Sequence, residues 1–377
     1  MLTQLQGKVG IEIELLAPRG ASRATLARAI AAAHQGTVRR YFHPQSEPSK
    51  IPGTPILENL TLGFEVLNDQ SQRVAQCVDD LTLQADCDRT SPPKAGWYRI
   101  VSDDRRLLRL VSQLADAQAP LAEVLDPVAD LFDVGSKVAP NGMVKVETDE
   151  SAPIAIAAPL PGERERPCEL ITPPWTREEL PQLAAMLAIA RDLDFAIPVE
   201  GATHFHFDAA PLCNAATFKN LVNLLWTYGP ALQRLVGTNG RCQRLGPLPK
   251  SLMELVQQPG WDTLSWPEAV AQLRPLKLSK YGDFNFKNMV YAPADKYTFE
   301  ARIFPVWLTA ELCYAAIGLM DAVLRRAQNL KPVPFKEPRA GDGAQTELLA
   351  ALPLSDALQQ YWHRAITNVP AATSSPP

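Results

Sequence analysis

Three stretches of the chain alternate strictly between apolar and polar residues. GIEIELL sets Ile11, Ile13 and Leu15 against Glu12 and Glu14. THFHFD sets Phe205 and Phe207 against His204, His206 and Asp208. TFEARIF sets Phe299, Ala301 and Ile303 against Glu300 and Arg302. A period of two places alternate side chains on opposite faces of an extended strand. Each stretch therefore predicts a strand with one apolar face and one chemically unusual face. A fourth strand, CELI, carries Glu169 and ends at the turn Thr172-Pro173-Pro174.

The remaining pattern alternates helices with short strands. Ser22 can cap a helix running to about His34, with Gly36 as its stop. Thr37 to His43 reads as a strand and the Pro-rich Pro44 to Pro55 as a loop. Phe64 to Leu67 and Val74 to Val78 flank Asn68-Asp69-Gln70-Ser71 as a hairpin. Trp97 to Val101 predicts a strand and Asp103 to Leu114 a helix. Pro120 to Phe132 is helical in pattern, and Lys145 to Glu147 and Pro153 to Ala158 are strand-like. Thr176 and Glu179 form a capping-box pattern that opens a helix to about Leu193. A long helix covers Ala215 to Val236, strands cover Asp283 to Met289 and Tyr297 to Phe304, and a mostly apolar helix covers Thr309 to Gln328. Without βαβ regularity, this order predicts an α+β fold built on an antiparallel sheet. Residues 1–330 are expected to form the catalytic domain with inserted loops. Residues 331–377 are expected to supply a C-terminal helix and a disordered tail, PAATSSPP.

Composition narrows the function classes. The 377 residues are 46% hydrophobic, enough for a large core, and the net charge of -4 gives no nucleic-acid footprint. The start of the chain lacks the basic and apolar regions of a secretory leader, and Arg23 and Arg28 interrupt the alanine-rich run from Ala21 to His34. The six cysteines form no CxxC pair, which suits free thiols in a reducing compartment. The expectation is a cytoplasmic protein with no membrane partner; homo-oligomerisation stays open.

The polar faces carry the chemistry. A polar strand face usually meets water and favours lysine, threonine and serine. These faces hold glutamates, two of the five histidines of the chain and one arginine, with no lysine. Clustered carboxylates repel one another unless cations neutralise them. Carboxylates with an imidazole suit magnesium or manganese rather than a thiolate zinc site. An arginine beside such ions matches polyphosphate, because its fork pairs with phosphate oxygens. No GxxxxGK[ST] cradle, dinucleotide fingerprint or GxSxG elbow is present.

The order GIEIE, CELITPP, helix, THFHF, YGDFNFKN and TFEARIFP resembles the amidoligases, carboxylate–amine ligases related to glutamine synthetase and to glutamate–cysteine ligases. The resemblance runs from about Val9 to Trp307. It implies a glutamine synthetase-like antiparallel sheet curved into a funnel, helices packed outside, and ATP with magnesium, or manganese, on the concave face. It implies metal ligands at Glu12, Glu14, Glu169, His204, His206 and Glu300. It implies catalytic roles for Arg302, His206 and Glu300, and nucleotide contacts from Arg302, Asn285, Asn288 and Lys280. The implied partners are ATP, a carboxylate substrate and an amine substrate. The family's Asp-Gly-Ser-Leu-like element has no clean counterpart here; Asp80 and Asp149 are the nearest candidates. ERER, Glu163 to Arg166, reads as a solvated loop or a phosphate contact.

Three rivals stand beside the ligase. A metal-dependent hydrolase needs a further His or Asp ligand, and His34, His43 and His363 fall in no convincing strand. An ATP-dependent phosphotransferase acting on a guanidino or amino group uses the same ions and phosphate contacts without an acyl phosphate. A non-enzymatic binding module would have no reason to keep all three polar faces.

Overall fold

The computed structural model describes residues 4–48, 56–102, 104–150, 152–242, 244–292, 297–329 and 331–368. It is α+β, with an open antiparallel sheet and packed helices. The chain begins with β1 (Val9–Leu16), α1 (Arg23–Ala33), β2 (Thr37–Pro48), β3 (Ile56–Leu67) and β4 (Arg73–Val78). Next come β5 (Tyr98–Val101), α2 (Arg105–Leu114), α3 (Asp126–Leu131), β6 (Ser136–Val138), β7 (Val144–Glu147), β8 (Pro153–Pro159) and β9 (Pro167–Ile171). They are followed by α4 (Gln182–Asp192), β10 (Thr203–Asp208), α5 (Ala215–Val236), α6 (Lys250–Val256) and α7 (Trp266–Leu273). The last elements are β11 (Phe284–Asn285), α8 (Lys287–Tyr291), β12 (Thr298–Phe304), α9 (Ala310–Gln328), α10 (Asp342–Ala351) and α11 (Asp356–Asn368).

These elements form two compact units. The first comprises Met1–Glu12, Pro174–Leu187 and Gly201–Pro377; the second comprises Ile13–Pro173 and Ala188–Glu200. β1 is shared, so Glu12 belongs to the first unit and Glu14 to the second.

In the first unit, β12 pairs antiparallel with both β10 and β11. The apolar faces of these strands are buried: Phe205, Phe207, Phe299, Ala301 and Ile303 are all almost fully enclosed. Phe205 meets Phe304 edge-on, with ring centroids 4.8 Å apart. Helix α5 begins at Asn214, whose side chain accepts hydrogen bonds from the amides of Ala216 and Thr217, and ends at Gly237 in the left-handed conformation. Its buried Asn220 and Asn223 donate to the carbonyls of Ala327 and Val333, tying the end of α9 and the segment after it to the helix.

In the second unit the strand order is β9-β4-β3-β5-β8-β7-β6, with β2 along β3. One sheet face carries Leu60, Leu62, Tyr98, Ile100, Val144 and Val146 into a core shared with α2 and α3. The other face is polar: Arg39 lies opposite Glu65, which lies opposite Gln76, and Tyr41 lies opposite Gly63. Helix α1 ends at Ala33, and Gly36 follows at a point with no room for a side chain. A Cβ there would sit 1.8 Å from the Leu67 carbonyl oxygen.

Several expectations need correction. β2 runs through Pro44 to Pro48, where a loop was expected. Among the described residues it pairs only with β3, and an edge strand tolerates proline because its outer N–H groups have no ladder partner. Residues 49–55 of that expected loop lie outside the described residues, as does the expected tail from 369 onward. The helix expected from Pro120 shrinks to α3, because Pro127 starts a helix more readily than it continues one. The Thr176 amide does donate to the Glu179 carboxylate at 2.8 Å, but α4 starts only after Pro181. The strand expected from Asp283 to Met289 is two residues long. The Asn285 side chain accepts the Lys287 amide at 2.8 Å, ends the strand and starts α8. The C-terminal region holds two helices, α10 and α11, rather than one.

Candidate active site

Alternation on β1, β10 and β12 brings five polar side chains of the first unit together. Glu12 sits between the two histidines. Its carboxylate lies 3.3 Å from His204 Nδ1 and 3.1 Å from His206 Nε2. Glu300 Oε1 lies 3.7 Å from His204 Nδ1 and 3.8 Å from His206 Nε2. Arg302 Nη1 donates to Glu300 Oε1 at 2.5 Å, and Asn285 Nδ2 donates to Glu300 Oε2 at 2.5 Å. Glu300 is thus gripped on both oxygens.

Strand register explains the convergence. His206 lies opposite Glu300 on β12, and Asn285 lies opposite Glu300 from β11. Between Phe205 and Thr203 the ladder slips: β10 advances two residues while β12 advances three, from Ala301 to Phe304. Arg302 and Ile303 fall in this irregularity. The Arg302 amide instead donates to the Asp283 carbonyl at 2.9 Å. A bulge re-aims the side chains beside it, and such irregularities gather at functional sites.

The electrostatics are those of a mutually stabilised cluster. Burial pushes the Glu12 carboxyl up, but His206 and His204 together outweigh it and hold Glu12 well below the usual carboxylate range. Burial likewise raises Glu300, and His206, Arg302 and His204 reverse the shift. His204 is lowered by burial and by Arg302, against the pull of both glutamates. Burial also lowers His206, yet Glu12 and Glu300 carry it up to about 9. The two histidines therefore differ: His204 is held neutral, as a metal ligand must be, while His206 is held as a cation.

A metal ion fits part of this set. Glu12, His204 and Glu300 offer ligand atoms that all lie within 4.8 Å of one another. In the second unit the carboxylates of Glu14 and Glu169 approach each other within the same distance. Glu14 is buried and Glu169 half-buried, so both are withdrawn from bulk water.

The other sequence candidates have partners of their own. Asn288 sits on α8, and its Nδ2 donates at 2.8 Å to Thr298 Oγ1, on the strand that carries Glu300. Lys280 lies with its ammonium 5.4 Å from the Tyr281 ring centroid. Asp80 turns inward onto the Thr82 amide and hydroxyl, each 2.7 Å away. The ERER segment is not a solvated loop: Glu165 and Arg166 are buried, and both arginines have partners within the protein. Arg164 is held by Asp79 and by the carbonyls of Leu83 and Asp80. Arg166 is held by Glu163 and by the carbonyls of Ala17 and Asp86. Beside them Arg23 is fully buried and donates to the carbonyls of Leu62 and Arg164. These arginines clamp loops of the second unit together.

Sequence reasoning missed the polar face around Tyr41. Gln76 Nε2 donates to the Tyr41 hydroxyl at 2.7 Å, and Arg39 pairs with Glu65. Burial and nearby Glu65 raise the Tyr41 phenol above its ordinary pKa. A Cβ at Gly63 would stand 2.9 Å from the Tyr41 ring, so a larger residue there would displace the ring. The alternation of Arg39, Tyr41 and His43 was the available signal.

Among the described residues, no helix is long and apolar enough to cross a membrane. Residues 6–324 match a family model described as "Putative amidoligase enzyme". No curated protein matches the chain.

Proposed function

The chain belongs to the amidoligase family, and from that premise we propose that it joins a carboxylic acid to an amine, with ATP as phosphoryl donor. The observation that carries this reading is the packing of Glu12, His204 and Glu300 within 4.8 Å of one another, with Arg302 on Glu300. In this reading Glu12, His204 and Glu300 hold one divalent ion, and Glu14 with Glu169 offers carboxylates for another. Oxygen-rich donors with one imidazole suit magnesium or manganese. A divalent ion held there supplies neutralising charge for phosphate oxygens.

The chain's own groups account for the remaining chemistry. Arg302 and protonated His206 place fixed positive charge beside the carboxylates, where charge spreads over a transferring phosphoryl group. Asn285 holds Glu300 in place by its amide hydrogen bond and acts as a positioning residue. The acid's carboxylate oxygen attacks the γ-phosphorus, the bond to the bridging oxygen breaks, and ADP leaves. The amine then attacks the acyl carbon of the mixed anhydride. The carbon–oxygen bond breaks, phosphate departs, and the amine releases one proton. The glutamine synthetase-like funnel and the cytoplasmic setting belong to the same proposal.

The test is ADP release by purified protein supplied with magnesium, ATP and pooled acids and amines, with mass spectrometry of the products. The expected result is an amide formed in step with ADP. Hydrolysis of a supplied amide or ester without nucleotide would replace the ligase with a metal-dependent hydrolase.

A further inference from the structure

A second feature of the first unit lies outside this cluster. A cavity of about 950 Å³ is lined by α5, by the segment that follows it, by Lys250 at the start of α6, and by Asp283 and Phe284. None of Glu12, His204, His206, Glu300 and Arg302 lines it. Its volume falls in the range of small-molecule sites, roughly 300–1,000 Å³.

The lining has two chemical parts. Trp226, Pro230 and Phe284 supply flat apolar surface. Pro230 has no N–H, so the helical hydrogen bond to the Trp226 carbonyl four residues earlier is lost where α5 borders the cavity. Gly240 adds backbone that a ligand can approach closely, since a Cβ there would meet nothing within 4 Å. The second part is cationic. Arg234 and Lys250 both line the cavity, and among the described residues each makes an exposed ion pair, with Asp342 at 3.1 Å and with Glu254 at 3.7 Å. Such exposed pairs exchange readily for a ligand anion. The acid on the wall, Asp283, is buried, and its carboxylate already accepts the Gly246 amide at 3.0 Å.

We propose that this cavity binds an organic carboxylate with a flat apolar body, its anion on Arg234 and Lys250 and its rings against Trp226 and Phe284. The cavity wall is wired to the strand that carries Arg302. The Asp283 carbonyl accepts the Arg302 amide at 2.9 Å, and the Thr238 hydroxyl donates to the Ile303 carbonyl at 2.6 Å. The ligand is therefore either the acid that the proposed ligation activates or a regulator of the same centre. The ligation arm alone rests on the proposed function; the binding claim does not.

The probe is 2-naphthoate, with neutral 2-naphthamide as its control, followed calorimetrically without nucleotide. Naphthoate should bind saturably and naphthamide much more weakly. Removing the charge-assisted contacts in an Arg234→Gln, Lys250→Gln double variant should weaken naphthoate about tenfold or more. Gly240→Phe should block it independently by filling the space. Equal binding of the two probes would overturn the proposal, as would naphthoate binding indifferent to both variants or no saturation at millimolar concentration. Adding ATP, magnesium and hydroxylamine separates the sources. A naphthoyl hydroxamate identifies an acyl-donor site, and binding without hydroxamate identifies a regulatory one; both outcomes support the cavity as a carboxylate site.

Discussion

Replacing Phe205 and its neighbour His206 should produce two destabilisations that differ in their dependence on pH. Phe205 is fully buried against Phe304, so Phe205→Ala should cost about 3–5 kcal/mol, as core aromatic truncations do. That cost comes from lost contacts and a cavity, and it should not change with pH. His206 is only one-fifth exposed, and Glu12 and Glu300, against burial, lift its pKa from 6.5 to about 9. A raised pKa means that its ion pairs stabilise the fold fully below about pH 6.5 and that this stability is lost as pH climbs through about 9. The full shift corresponds to about 3 kcal/mol. In EDTA, His206→Gln should therefore cost about 3 kcal/mol at pH 6 and close to nothing at pH 10. Urea titrations followed by far-UV circular dichroism give both values relative to wild type. The reasoning fails if the His206→Gln cost is flat across that range, or if Phe205→Ala loses less than about 1 kcal/mol. Either outcome would reverse the faces of β10, since a one-residue register change exchanges core and site side chains.

Three further outcomes follow from other parts of the fold. Asn285→Ala leaves Glu300 without an amide donor and should cost about 1–3 kcal/mol in metal-free urea titrations; an unchanged midpoint would detach Asn285 from Glu300. Arg164→Ala removes one of the two arginines on fully buried Asp79 and should lower stability by about 3–5 kcal/mol while metal binding persists; normal stability with lost nucleotide binding would return ERER to a phosphate role. Gly36→Ala forces a methyl group onto the Leu67 carbonyl and should cost at least about 1–3 kcal/mol by thermal melting, whereas Gly7→Ala, which meets nothing within 4 Å, should be near neutral.

The cluster of the first unit was legible because each of its strands announces its own two faces. Ile11 with Ile13, Phe205 with Phe207, and Phe299 with Ile303 fix the buried side, and the glutamates, histidines and Arg302 follow on the other. What the alternation could not convey was register. The register that sets His206 opposite Glu300, and the slip beside it, depend on pairing between segments almost a hundred residues apart. The same limit hid the Tyr41 face, where Arg39, Glu65 and Gln76 meet only after three strands align. The strand expected from Asp283 to Met289 was read too long because Asn285 caps the turn that ends it, a side-chain contact that alternation does not reveal. ERER looked solvated because four adjacent charges usually are. Its partners, Asp79 and the Asp80, Leu83 and Ala17 carbonyls, come from loops far away in sequence.

The central claim is that Glu12, His204 and Glu300 form a divalent-metal centre in an amidoligase. Titration of the metal-free protein with manganese, followed by electron paramagnetic resonance of the free ion, tests it without knowledge of either substrate. Wild type should take up manganese saturably, magnesium should compete, and Glu300→Gln combined with Glu12→Gln should abolish the uptake at that centre while the circular dichroism spectrum is retained. Uptake of the same amount with the same affinity by the double variant would contradict the account.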